Sequence, residues 1–206
     1  MQDIIVSTVL KAIDQAELVI IEVSAKHVHL SSEDVERLFG AGKKLTRKRD
    51  LSQPGQYLCE ERVKLIGPKG SMMANVAVLG PERKKTQVEL SKSDCFALGV
   101  SAPVRDSGDI AGSGSVTIEG PAGSITIPEG VIIASRHIHV PAQYAANHGL
   151  KDGQLVDVEA VTDRPVIFKD VLLRVSDKFN LRMHIDFDEA NGSGVSGFTL
   201  GRVILK

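Results

Sequence analysis

Tryptophan is missing from this 206-residue chain, and aromatic residues make up only 4 % of it. That disfavours a stacking platform for single-stranded nucleic acid, which needs several exposed rings. Cysteine is scarce too. Cys59 and Cys95 form neither a disulfide framework nor a CxxC metal pair, so both read as small apolar residues in a reduced, intracellular protein. Neither sign of charge is in excess, with 25 Lys and Arg against 26 Asp and Glu and a net charge of -1. A general binder of nucleic acid or membrane surfaces would carry a basic surplus. Long apolar runs are also lacking. Stretches such as Leu18-Val19-Ile20-Ile21 fall far short of the roughly 20 residues of a membrane span. Asp3, Lys11 and Asp14 break the pattern of a secretory signal.

What is present first is an amphipathic helix within 1–20, where Ile5, Val9, Ala12, Ile13 and Ala16 recur at three- and four-residue steps. It either packs on its own protein or a dimer mate, or docks in a partner's groove. The polar stretch Asp14 to Glu17 ahead of the next strand favours docking. From Leu18 onward short runs rich in β-branched residues alternate with Gly/Pro turns, as in Val63-Lys64-Leu65-Ile66 before Gly67-Pro68. Two helices interrupt them, one over 31–39 opened by a capping serine and one over 141–148 opened by proline, each stopped by glycine. Strand spacing of this kind predicts a mainly β fold of small barrels capped by short helices.

Internal duplication explains the pattern. Lys26-His27-Val28-His29-Leu30 recurs 110 residues later as Arg136-His137-Ile138-His139-Val140, each before a helix. A weaker correspondence, offset by 95, aligns Asn75 to Leu90 with Asp170 to Ile185 and sets Glu89 against His184. The expected layout is an N-terminal helix over 1–20, a first barrel region over 21–134, and a second barrel over 135–206.

Alternate residues of a strand share a face, so His27 with His29, and His137 with His139, each present two imidazoles to one ion. Open zinc sites take three protein ligands, and the duplication supplies Glu89 to the first and His184 to the second. A single His-x-His pair is ordinary; two in one chain, each between a similar strand and a helix, point to metal. His148 has no copy and reads as structural. Gly192-Ser193-Gly194-Val195-Ser196-Gly197 spells a dinucleotide fingerprint with no room for the helix and strand that must follow, so a C-terminal loop is expected there. Arg83, whose segment leads into Glu89, is the better candidate for an anion clamp than the basic run 47–49. Two open metal sites with an arginine suit transfer or hydrolysis at a carbonyl or phosphoryl centre. The residues do not choose between them.

The ordered motifs His27-Val28-His29-Leu30-Ser31, Leu51-Ser52-Gln53-Pro54-Gly55-Gln56, Leu79-Gly80-Pro81 with Arg83, Thr86-Gln87-Val88-Glu89-Leu90-Ser91, Arg136-His137-Ile138-His139 and Met183-His184-Ile185-Asp186 resemble the PduL-type phosphate propanoyltransferase (phosphotransacylase) family over about residues 20–191. That resemblance implies reversible conversion of acyl-CoA and phosphate to acyl phosphate and CoA. It also implies two zinc ions per chain on the ligands above, with the CoA sulfur on the first metal and phosphate towards the second. Arg83 matches the family's catalytic arginine, while Ser24, Phe96 and Asn191 match positions that touch CoA. Ala77 departs from the family, whose members carry arginine there to meet a CoA phosphate, and Lys84, Lys85 or the basic run are the possible substitutes. The family's barrels imply that the first strand, 21–25, joins the barrel of the C-terminal half, and that the protein is a homodimer. Residues 1–20 resemble an encapsulation peptide, which implies a bacterial microcompartment lumen (otherwise the cytoplasm), a shell or core protein as partner, and a role in propanediol degradation. The rival readings are a dinuclear-metal thioesterase or phosphoesterase, and a non-enzymatic assembly protein of a microcompartment.

Overall fold

A computed structural model describes Thr8 and residues 17–206. The helix expected within 1–20 therefore lies, but for Thr8, outside the described residues as far as residue 16. Residues 18–20 are not helical: β1 (Leu18–Ser24) starts directly after Glu17, and Val19 and Ile21 are buried in a core.

The chain divides into two units, a central one of Ala25–Ser135 and a terminal one that combines residues up to Ser24 with Arg136–Lys206. In the central unit come β2 (His27–His29), α1 (Ser32–Phe39), β3 (Arg47–Asp50), β4 (Tyr57–Ile66), β5 (Met72–Gly80), β6 (Gln87–Glu89), α2 (Lys92–Leu98), β7 (Val104–Arg105), β8 (Gly114–Glu119) and β9 (Ser124–Ala134). Its strands close as a six-stranded ring in the order β4-β5-β2-β6-β9-β8 and back to β4. β3 and β7 lie beside β4 and β9, off the ring. The terminal unit holds β10 (His137–Val140), α3 (Ala142–His148), β11 (Leu155–Ala160), β12 (Ile167–Val175), β13 (Arg182–Asp186), α4 (Phe187–Ser193) and β14 (Thr199–Ile204). They close with β1 into a barrel ordered β1-β13-β10-β12-β11-β14. The fold is mainly β, as its alternating burial demands: every second residue of β8, for instance, points inward.

The two rings match strand for strand. β2 runs parallel to β5 and antiparallel to β6, as β10 does to β12 and β13. Register keeps the offset of 95 through β5 and β12, where His27 faces Ala77 and His137 faces Leu172. Asn75 and Asp170 share a left-handed backbone (φ 58° and 55°), which Asn and Asp tolerate better than most residues. β9 occupies in the central ring the place that β1 holds in the terminal ring, parallel to the strand carrying Glu89 or His184. The terminal barrel is thus closed by the strand that comes first in the chain.

α1 begins where the serine cap predicts, the Ser31 hydroxyl accepting from the Asp34 N–H at 3.2 Å, and α3 ends on a left-handed Gly149. α2 and α4 were not expected. Both carry capping boxes, Ser91 with Asp94 and Asp186 with Glu189. The loop expected over 192–197 is in part the end of α4, for which Gly194 is the left-handed cap.

Candidate active site

In the central unit the pairing of β2 with β6 sets His27 directly opposite Glu89. Val28 between the histidines turns into the barrel core, so His27 and His29 share the other face. The His27 Nδ1–H donates to the Ala25 carbonyl at 2.8 Å, which leaves Nε2 as the lone-pair nitrogen, 3.4 Å from Glu89 Oε2. An ion bound tetrahedrally at 2.0–2.1 Å holds its ligand atoms about 3.3 Å apart, so this spacing suits zinc. One ligand atom from each of His27, His29 and Glu89 lies within 4.8 Å of the others. Burial, and then the neighbouring His27 and Arg83, hold the His29 imidazole well below its ordinary pKa. It is neutral, as a ligand must be.

A polar cluster surrounds these three. Glu89 Oε1 accepts from Gln87 Nε2 at 2.6 Å and from the Ser107 hydroxyl at 2.8 Å. Ser107 Oγ in turn accepts from Arg83 Nη1 at 3.1 Å and from Gln87 Nε2 at 3.0 Å. Arg83 Nη2 donates to His29 Nε2 at 2.8 Å. The arginine is delivered by its own backbone, whose N–H donates to the Leu30 carbonyl at 2.8 Å just past β2. Gln87 and Ser107 were not among the candidate residues. Gln87, two before Glu89, shares its strand face and was within reach of the alternation rule; Ser107 has no local signal.

The terminal unit repeats the frame. His137 stands opposite His184 in the β10–β13 ladder. His137 Nε2 and His139 Nε2 approach to 3.2 Å, again the edge of a tetrahedron of metal ligands. His139 Nδ1 is buried without a hydrogen bond, and burial first, then His137 and Arg174, lower its pKa to about 3. The His184 ring centroid lies 5.4 Å from that of His137 and 5.1 Å from that of His139. Where the central unit sets Arg83 against its second histidine, this one sets Phe179, 4.3 Å from His139.

The remaining candidates divide between the units. Ser24 ends β1 and pairs with Asp186, the cap of α4, and Asn191 lies exposed on that helix. Phe96 stands on α2 in the central unit with 90 % of its surface exposed, so it is no core aromatic. Ala77 is the residue paired with His27, so the position where the resemblance implies an arginine falls beside the site. Lys85 faces Glu129 at 3.7 Å, and Arg47 and Lys48 pair with Asp50 and Glu60. Both cysteines are buried, and burial pushes the Cys59 thiol up to about 12, beyond any use as a nucleophile. His148 stacks on Tyr144, as a structural histidine does.

A family model described as phosphate propanoyltransferase matches residues 20–196. Proteins named phosphate propanoyltransferase align along most of the chain. The one from Clostridioides difficile is 46% identical over 202 residues, 98% of this chain and 96% of that protein. Its counterpart from Listeria monocytogenes is 49% identical over 186 residues, covering 90% and 87%. That of Thermotoga maritima is 52% identical over 176 residues, covering 85% and 83%.

Proposed function

The chain belongs to the phosphate propanoyltransferase family, and from that premise we propose that it is a phosphate acyltransferase that passes a short acyl group, propanoyl or similar, between CoA and phosphate. His27, His29 and Glu89 hold one zinc ion, and His137, His139 and His184 a second, the pair serving as one dinuclear centre. Bound there, zinc would supply Lewis acidity and would favour the thiolate form of the departing CoA sulfur, a better leaving group than the thiol.

A phosphate oxygen attacks the thioester carbonyl carbon without an acyl-enzyme. The C–O bond forms, the C–S bond breaks, and the electron pair leaves on the CoA sulfur while the phosphate proton passes to solvent. Arg83 keeps a permanent positive charge and carries the charge that develops on the carbonyl and phosphate oxygens. Ser24 and Asn191 hold CoA and Phe96 stacks on its adenine. Lys84, Lys85 or the basic run Arg47 to Arg49 supplies the contact to a CoA phosphate for which Ala77 has no charge. The observation that carries the reading is the Arg83 guanidinium 2.8 Å from His29, within a His/His/Glu cluster.

The test is CoA release from acetyl- and propanoyl-CoA, with and without phosphate, on chelator-stripped protein before and after adding zinc. Release that needs both phosphate and metal is expected. Release with metal alone makes the protein a hydrolase, and no release at all leaves the assembly reading. Zinc is favoured by ligand type, although His/carboxylate sites accept other metals too.

The family resemblance also supports a homodimer inside a microcompartment, addressed through the N-terminal segment. No helix of the described residues is long and apolar enough to cross a membrane. A truncation that tests the address should stop at residue 16, because Leu18–Ser24 is a barrel strand.

A further inference from the structure

We propose that the polar cluster at Glu89 divides its work between two positioning residues: Ser107 holds the Arg83 guanidinium, and Gln87 holds the Glu89 carboxylate. The division follows from counting donors and acceptors. A serine hydroxyl has one proton and two lone pairs. Ser107 gives its proton to Glu89 Oε1 and uses both lone pairs, one for Arg83 Nη1 and one for Gln87 Nε2. It is a saturated hub between a fixed cation and a fixed anion.

Glu89 Oε1 has two donors, so loss of the Ser107 proton leaves the shorter Gln87 contact of 2.6 Å in place. Gln87 is 2 % exposed, and its Oε1 accepts from the Gly108 N–H at 2.8 Å, which settles which way the amide faces and keeps Nε2 on the carboxylate. For Arg83 the balance is reversed. Its Nη1 donates to Ser107, while its Nη2 meets on His29 the single lone pair that a bound metal would claim, so removing the hydroxyl takes away a contact that metal binding leaves in place and lets the guanidinium turn.

Chain length supports the assignment. Glu89 and His184 stand at an offset of 95, but β8 and β14 stand at 85, since Gly114 faces Val131 where Thr199 faces Ile21. The ten additional central residues include β7 and Ser107. The terminal unit lacks this insertion, and the arginine that bears on its second histidine, Arg174, comes from the paired strand β12 instead of a turn beside such a loop.

This inference rests on the role given to Arg83 above, and the experiment separates the two. Full-length Ser107→Ala, Ser107→Thr, Gln87→Met and Arg83→Lys are compared in steady-state kinetics and in cobalt(II) titrations followed by visible absorption. Ser107→Ala should lower kcat about tenfold with acyl-CoA KM and both cobalt steps unchanged, and Ser107→Thr should restore most of the loss. Gln87→Met should weaken one of the two cobalt steps about 10–100-fold and leave kcat at saturating metal within about threefold. In an Arg83→Lys background the Ser107→Ala loss should disappear, since the two act as one unit.

A crossed result overturns the division: weaker metal binding in Ser107→Ala, or a fallen kcat at saturating metal in Gln87→Met. Wild-type kinetics in Ser107→Ala overturn it equally. If Arg83→Lys alone leaves kcat unchanged, it is the reading of Arg83 that fails. Should Ser107→Ala melt below the wild type, Ser107→Gly and the threonine rescue decide the point.

Discussion

The central and terminal rings share strand order, strand sense and the register of their two-histidine strands, yet their sites differ in kind. Opposite the first histidine stands Glu89 in one and His184 in the other. Against the second histidine stands Arg83 in one and Phe179 in the other. The base ahead of each His-x-His is tied the same way in both, Lys26 to Asp94 at 2.9 Å and Arg136 to Glu189 at 3.3 Å, each partner being the third residue of a capped helix. Barrel walls and helix anchors have stayed alike, because a change of register would turn every side chain to the wrong face. The loops were free to change. The offset falls from 110 at β2 and β10 to 93 at β4 and β11, where Val63 meets Val76 as Val156 meets Val171, so the central unit gains the stretch with β3 there and the Ser107 loop later. The duplicated scaffold teaches that ligand placement belongs to the ladder, and charge placement to the insertions.

The sharpest way to break this contrast is to remove the guanidinium that donates to the second histidine of the central ring. Arg83→Ala should lower kcat by about 10²–10³, the usual cost of losing a preorganised charge at a developing oxyanion. Phe179→Ala, its counterpart in position, should lose less than about tenfold, since an aromatic edge carries no net charge. Steady-state rates at saturating acyl-CoA compare them; equal losses would abolish the distinction between the two sites.

Stability comes next, and here the rings should behave alike. Leu65 in the central core and Leu173 in the terminal core are 0 % and 1 % exposed. Leu65→Ala and Leu173→Ala should each cost about 2–5 kcal/mol, read from urea midpoints. A large loss in one ring alone would show that the walls are not equivalent.

The smallest effect concerns acid. At the register place that Lys64 fills in the central ring, the terminal ring has Asp157. A hydrogen bond from Lys169, with others from the Asp170 N–H and Lys206, lowers its pKa to about 2. A carboxyl depressed in the folded state stabilises it above the unfolded pKa of about 3.9, and that contribution is lost as pH falls through the folded value. Melting of the wild type should therefore drop more steeply between about pH 4 and 2 than that of Asp157→Asn, which has no proton to take up in that range. Parallel curves would remove Asp157 from the account.

Much of this molecule can be read from its residues, and the exceptions have physical causes. The His-x-His pairs are legible because alternation puts them on one face wherever the strand lies. α1 and α3 are legible from a cap at one end and glycine at the other. α2 and α4 were not expected, although each opens on a capping box and ends at a left-handed glycine, signals of the same kind. The offset of 95 is faint in identities, yet the ladders and the left-handed Asn75 and Asp170 carry it throughout.

By itself the amino-acid order determined the β class, the duplication, the paired imidazoles and the family, since each rests on periodicity or on short-range spacing. The resemblance implied that the first strand joins the terminal barrel, but only the tertiary structure decided that β9 closes the central one in the same place, and that Ser107, eighteen residues from Glu89, meets its carboxylate. Those are non-local pairings. They are selected by which buried faces and hydrogen-bond ladders can be completed together, and no local pattern records that choice.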